Sequence, residues 1–246
     1  MEASLITIAN KKNVYEDFLE NLKTQIDVEF ELLTAFNYNA EFSSARKAYN
    51  QFAEKAKGKY LIFLHPDIRF LNEHALADIL HWVEKIPSFG VVGIAGAVRS
   101  GQNSCDILTT IVHTPAKQPV GKKNCGIQKV QTLDECLFVV EKEYFFKHPF
   151  PDKDGWHLYA VEYCLQAIKD GKDNYVVPSD SWHLSDGRSL DPNYVIQISD
   201  LVKQEKNNFD LICTTIKPWK TKGISAWLYR KYYFVKQCIK KTIVNR

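Results

Sequence analysis

The sequence predicts an α/β fold: a mostly parallel mixed sheet flanked by helices, closed by a C-terminal basic amphipathic helix. Three observations carry that expectation. Short β-rich runs alternate with runs of helical period along the first 205 residues. "YLIFL", residues 60–64, is apolar without alternation, as a strand buried on both faces must be. From Lys217 to Arg246 nine Lys and Arg stand with no Asp or Glu.

The elements follow in order. "SLITIA" reads as the first strand and "VYEDFLENLKTQ" as an amphipathic helix. "VEFELLTAF" reads as the second strand, and "SSARKAYNQFAEKAKG" as a helix with Ser43 or Ser44 as N-cap and Gly58 as its stop. Beyond "YLIFL", "NEHALADILHWVEKI" predicts a third helix and "FGVVGIAGAV" one strand. Residues 101–126 read as a loop region. "KVQTLDECLFVVEKEYF" resumes the strand signal, and "DGWHLYAVEYCLQAIKDG" predicts a helix stopped by Gly171. A short strand "NYVVP", a loop "SDSWHLSDGRS" and a last core helix "PNYVIQISDLVKQEK" complete the set. The reading is one domain over 1–210 and a basic tail over 211–246.

The 45% hydrophobic content supports a sizeable core and excludes a disordered chain. Without its tail the chain carries 23 basic and 29 acidic residues, which argues against a nucleic-acid partner. The six cysteines show no CxxC pair and no zinc-like spacing, so reduced thiols in a cytoplasm are expected. The opening "MEASLITIANKK" has no basic leader, and no apolar run approaches the ~20 residues of a membrane-spanning helix.

Open parallel sheets bind ligands beyond the carboxyl ends of their strands. "LIFL" runs there into His65, Pro66 and Asp67. A carboxylate ending a buried strand is costly unless paired, solvated or bound to a cation. Mg²⁺ or Mn²⁺ suits it, and Mn²⁺ also accepts imidazole; the alternative is a turn cap. His183, in "SWHLSDG", follows another strand. With Asp67 on a converging loop it would complete a mixed oxygen and nitrogen site.

"SSARKAYNQFAEKAKGKYLIFLHPDI" resembles the centre of a GT-A glycosyltransferase of the family 2 type. There a helix leads into a strand ending in a metal-binding DxD; here the triplet is His65-Pro66-Asp67, as in a subgroup whose strand ends "FLHxD". "WHLYAVEYCLQAIKDGKDNYVVPSDSWHLS" is similar to a later motif of that subgroup, and the likeness extends over most of residues 4–187. The resemblance implies a nucleotide-sugar donor, with a UDP-sugar favoured. Ala9, Asn10, Asn37, Arg46, Asn50 and His65 would contact it, while Asp67 and His183 would hold Mn²⁺ or Mg²⁺. For Asn37, Arg46 and Asn50, a turn, a solvated helix face and helix packing are the alternative readings.

Inversion requires a base for the acceptor hydroxyl. The family's helix-borne carboxylate falls here on Ala160. The catalytic candidates are Glu162, Asp154 and Asp134, with His157 and Glu135 also in reach. Glu162 lies two residues on, roughly 200° around the helix. Glu135, Trp156, His157, Tyr159 and Trp182 are the candidate acceptor contacts; core packing is the alternative for the aromatics.

On a helix from Ile224, residues Ile224, Leu228, Tyr232, Val235, Ile239 and Ile243 form an apolar stripe, with Arg230, Lys236, Lys240 and Lys241 opposite. Such a helix suits an anionic membrane surface, or packs on its own domain. The expected protein is a cytoplasmic enzyme, peripheral on the inner face of the membrane, acting on a glycan or lipid-linked acceptor in surface polysaccharide synthesis. Two other functions fit the residues: a catalytically silent GT-A scaffold, favoured by Ala160, and a metal hydrolase using His65, Asp67, His157 and His183.

Overall fold

The structure is a computed structural model and describes residues 1–113, 118–185 and 190–244. The side chain of Ile243 and the predicted loop positions 114–117 and 186–189 lie outside the described residues.

The first half runs β1 (Ala3–Ala9), α1 (Lys12–Leu22), β2 (Phe30–Phe36), α2 (Ala45–Ala53), β3 (Tyr60–Leu64), β4 (Ile68–Phe70) and α3 (Ala75–Glu84). Then come β5 (Val92–Gly93), β6 (Ala95–Arg99), β7 (Cys105–Thr109), β8 (Val112–His113), β9 (Gln118–Pro119), β10 (Lys122–Lys123), β11 (Gln128–Val130) and β12 (Thr132–Leu133). The second half holds β13 (Leu137–Glu141), α4 (Lys142–Lys147), α5 (Tyr159–Lys169), β14 (Asn174–Val176), β15 (Ser181–His183) and α6 (Pro192–Glu205). A small hairpin, β16 (Leu211–Ile212) and β17 (Trp219–Lys220), precedes α7 (Ile224–Val244).

The central sheet has the order β11-β14-β5-β13-β3-β1-β2. β1 pairs parallel with β2 and β3, while β13 runs antiparallel to both β3 and β5. The expected mostly parallel mixed sheet is therefore the one observed. Every residue of β3 is buried. Tyr60, Ile62 and Leu64 face one core with Phe18 and Leu76; Leu61 and Phe63 face the other with Tyr49, Phe138 and Tyr163. Alternation of side chains along a strand thus supplies both layers from one segment.

Four sequence expectations are corrected. The strand read over "FGVVGIAGAV" breaks at Ile94 into β5 and β6, which join different sheets. The 101–126 loop region contains β7, which pairs with β6 from Ala95↔Thr109 to Arg99↔Cys105. Ile107 and Leu108 stand side by side in it, so it has no strict alternation to mark it as a strand. Helix α2 starts at the Ser44 cap, whose side chain accepts from the Lys47 N–H, but ends near Glu54. Gly58 serves another purpose: a Cβ there would stand 2.4 Å from the Ala3 backbone, so only glycine lets this turn pass β1. Finally, Cys105 and Cys213 form a disulfide across 108 residues. That pairing removes the ground on which six reduced thiols and a reducing compartment were expected.

The C-terminal segment is attached to the domain. Trp219 and Tyr233 join Leu158, Val161 and Ile198 in a third core sealing α5 and α6. Helix α7 buries Ala226, Tyr233 and Gln237. Ile224, Leu228, Tyr232, Val235 and Ile239, on the opposite side, are each more than half exposed. No helix among the described residues is long and apolar enough to cross a membrane.

Candidate active site

Strand β3 ends at Leu64, and the chain turns as the Ile68 N–H donates to the His65 carbonyl. β4 then pairs antiparallel with β15 in a register that sets His183 opposite Ile68. The Leu184 N–H donates to the Asp67 carbonyl at 3.0 Å, locking the two loops together. Two segments over one hundred residues apart in sequence thereby deliver Asp67 and His183 to one point.

His65, Asp67 and His183 each offer one ligand atom, and these atoms all lie within 4.8 Å of one another. Asp67 Oδ1 lies 3.3 Å from His183 Nε2 and 3.9 Å from His65 Nδ1. Yet Oδ1 and Nε2 are buried and neither is aligned in a hydrogen bond. The two buried atoms face each other as an ion pair without an aligned hydrogen bond, and a cation shared between them would satisfy both. His65 Nε2 is taken by the Tyr159 hydroxyl at 2.8 Å, which leaves Nδ1 toward Asp67. Second partners of this kind fix the ring orientation of metal-binding histidines. Burial opposes charge on Asp67, but His183 and His65 outweigh it and hold its pKa at about 2. Burial lowers His183, and Asp67 more than reverses that, raising it. Burial lowers His65 despite Asp67. The residues present fit a divalent cation bound by one carboxylate oxygen and two imidazoles.

The triad opens into a cleft of about 1320 Å³ at the carboxyl ends of β1 and β3. Single small-ligand sites run from roughly 300 to 1,000 Å³, so this cleft has room for two substrates. A separate pocket of about 310 Å³, lined by Glu2, Asp27, His74 and His81 among others, shares no residue with it. Of the predicted donor contacts, Asn10 and His65 line the cleft. Ala9 is buried at the end of β1. The other three are engaged inside the protein: Asn37 Oδ1 accepts from the Phe42 N–H, and Asn50 bonds both backbone groups of Phe150. Arg46 donates to the Glu162 carboxylate and the His157 carbonyl.

On the acceptor side Glu135, Trp156, His157 and Tyr159 line the cleft; Trp182 sits in β15, paired with Arg69. Among the catalytic candidates, Glu162 is bonded to both Arg46 and Lys153 beneath α5. Asp154 is exposed at the rim and pairs with Lys47 at 2.9 Å. Asp134 lines the cleft, accepting from Thr215 Oγ1 and the Cys136 N–H. Sequence reasoning missed His113, Tyr194, Asp191 and Thr215 in the lining. His113 is paired in register beside His183, their rings 5.5 Å apart. It fell inside the segment read as loop, and residues 105–113, with apolar pairs at Ile107–Leu108 and Ile111–Val112, carry no alternation to reveal it.

An open α/β sheet with a cation-suited cleft at its carboxyl edge defines a class of protein that takes its ligands beyond the strand ends. The sequence profile of a glycosyltransferase-like family matches residues 4–200, so the chain belongs to that family, and its fold is GT-A. No curated protein sequence matches it. Among solved structures, a Pyrobaculum calidifontis mannosyltransferase in complex with GDP-Man and Mn²⁺ has a TM-score of 0.58 at 13% identity, covering 84% of this chain and 63% of that one. S. aureus TarS has a TM-score of 0.58 at 15% identity, over 86% and 40% of the two chains. TarS 1-349 in complex with UDP-GlcNAc has a TM-score of 0.56 at 15% identity, over 86% and 68%. Likeness at these identities establishes the shared fold. The chain spans less than two thirds of the length of the first two structures.

Proposed function

We propose that this chain is a metal-dependent, inverting glycosyltransferase that passes a sugar from a nucleotide-sugar donor, a UDP-sugar foremost, to a glycan or lipid-linked acceptor in surface polysaccharide synthesis. The single observation that carries this reading is the grouping of the His65, Asp67 and His183 ligand atoms, all within 4.8 Å of one another, at the carboxyl edge of the sheet. GDP-Man with Mn²⁺ and UDP-GlcNAc in two fold relatives support the donor class. A divalent cation held by Asp67, His183 and His65 would neutralise the diphosphate leaving group. Asn10 and Lys11, just beyond β1, would receive the nucleotide, and Trp156 would offer its half-exposed ring to a sugar face. His65 stands in place of the first DxD carboxylate, with Nε2 on the Tyr159 hydroxyl and Nδ1 toward Asp67.

The outward stripe of α7 would dock on an anionic membrane surface, with Lys231, Lys236 and Lys240 exposed around it. A chain docked in this way would meet lipid-linked acceptors on the same surface.

The test is calorimetric titration with UDP, GDP, dTDP and CDP, with and without Mn²⁺, on wild type and Asp67→Ala. Binding of one nucleotide that requires Mn²⁺ and is lost at least tenfold in Asp67→Ala, at unchanged Tm, is the expected result. Equal binding by the folded variant would remove the metal role. One observation favours a second reading, a catalytically silent scaffold: Ala160 stands where the family carries its carboxylate. Metal-dependent nucleotide binding with no turnover of any donor would establish it.

A further inference from the structure

The position at the start of α5 where the family's carboxylate would fall is Ala160, and the acid of the first turn, Glu162, is bonded to Arg46 and Lys153. Glu135 lies in the turn between β12 and β13, yet its Oε1 accepts the Tyr159 N–H at 2.8 Å, at the first residue of α5. Tyr159 immediately precedes Ala160, so the Glu135 carboxylate stands at the helix start from which a side chain at 160 is missing. The preceding Leu158 is in the left-handed region, φ 65° and ψ 11°, a conformation rare for a non-glycine residue. It turns the first amide of the helix toward the cleft wall that carries Glu135.

The same Tyr159 hydrogen-bonds His65 through its hydroxyl. One residue therefore links the carboxylate to the cation-binding triad, and both groups line the same cleft. The other acids are engaged differently. Asp134 is held by Thr215 and the Cys136 N–H, Glu162 by Arg46 and Lys153, and Asp154 by Lys47 and Ser43. No ion pair among the described residues includes Glu135. Its surroundings also keep it basic: burial and the neighbouring Asp134 raise its pKa to about 8, against the nearby Arg46.

We infer that Glu135 is the general base of the transfer, supplied by the β12–β13 turn in place of a helix-borne carboxylate. This rests on the transferase reading above. In the step, a Glu135 carboxylate oxygen takes the proton of the acceptor hydroxyl. The hydroxyl oxygen's electron pair forms the bond to the anomeric carbon. The bond from that carbon to the diphosphate oxygen breaks, and its electrons leave with the nucleoside diphosphate. No other reactant is required.

The test compares wild type, Glu135→Gln and Glu135→Ala, all with Mn²⁺. Calorimetry gives the Kd of the nucleoside diphosphate that wild type binds; turnover is followed with sugar donors of that nucleotide and water as acceptor. Gln keeps an oxygen for the Tyr159 N–H and removes only the base, so it separates catalysis from helix capping. The expected result for Glu135→Gln is an unchanged Kd, a Tm no lower than wild type, and kcat lower by about 100-fold or more, in the range for loss of a general base. Glu135→Ala should lose the cap as well and melt earlier. Turnover of Glu135→Gln within threefold of wild type would overturn the assignment and leave the transferase reading standing. A wild type that binds nucleotide but turns over no donor would overturn it in favour of the silent scaffold. A wild type that neither binds nor turns over would remove both.

Discussion

Glu135 and Asp67 show how environment divides similar side chains. Both are carboxylates in one cleft, but Asp67 faces two imidazoles and Glu135 faces Asp134. Asp67 is held at about 2, and Glu135 is raised to about 8. The raised group has a stability consequence. Between the ordinary carboxylate value and about 8 the folded protein keeps a proton that the unfolded chain has lost. Folding stability therefore falls as pH rises through that window. The charged neighbours that set it are Asp134 on the same turn and Arg46 on α2; Tyr159, Tyr49 and Tyr194 stand uncharged near it. Glu135→Gln has no such proton to lose. Its Tm should match wild type near pH 5 and exceed it by roughly a few degrees near pH 9. A gap that does not change with pH would show that Glu135 titrates normally.

At the scale of elements, helix α7 combines two faces whose roles composition alone left open. Membrane contact and packing on the domain were alternatives for the sequence; the structure gives the helix a packed face and an exposed apolar face. Ala226, Tyr233 and Gln237 are buried, with Lys217 over the Tyr233 ring at 3.8 Å. The apolar stripe points the other way, flanked by lysines. Leu228→Glu with Val235→Glu should leave Tm within about two degrees of wild type, since neither residue supports the core. The pair should weaken sedimentation with phosphatidylserine vesicles by tenfold or more, through lost apolar burial and added repulsion. Unchanged vesicle binding by the folded variant would exclude this face as the contact. The turn strands β4 and β15 illustrate a different limit. Each is three residues long, and neither has a pattern strong enough to reveal that they pair.

Across the whole molecule, the C-terminal segment is tied to the sheet domain by Trp219, Tyr233 and the Cys105–Cys213 disulfide. A loop of 108 residues between cysteines is long, and closing it restricts the unfolded chain strongly. Replacing both cysteines by serine, or reducing the bond, should lower stability by about 2–4 kcal/mol. Urea midpoints with and without reductant measure it; coincident curves would mean the bond adds nothing. The same tie holds the Thr214–Ile216 stretch at the cleft, where Thr215 supports Asp134.

The alternation of strands and helices, the burial of β3, and the arrival of His65 and Asp67 at a ligand edge are all legible along the chain. These are local properties, written in side-chain period and in the type of residue that ends a strand. The sequence also brought Glu135, His157 and Tyr159 into view as candidates, because they neighbour the motifs. Which candidates share a space depends on how the chain packs. Arg46 and Asn50 match the family pattern in sequence, yet their hydrogen bonds turn them inward, toward Glu162 and Phe150. Glu135 is 24 residues from Tyr159 in the chain and 2.8 Å from it in space. The β4–β15 register brings His183 to Asp67, and the disulfide spans the molecule. Pairings of this kind depend on long-range strand register and on the competition of each polar group for a partner. Neither has a period that can be read along one chain.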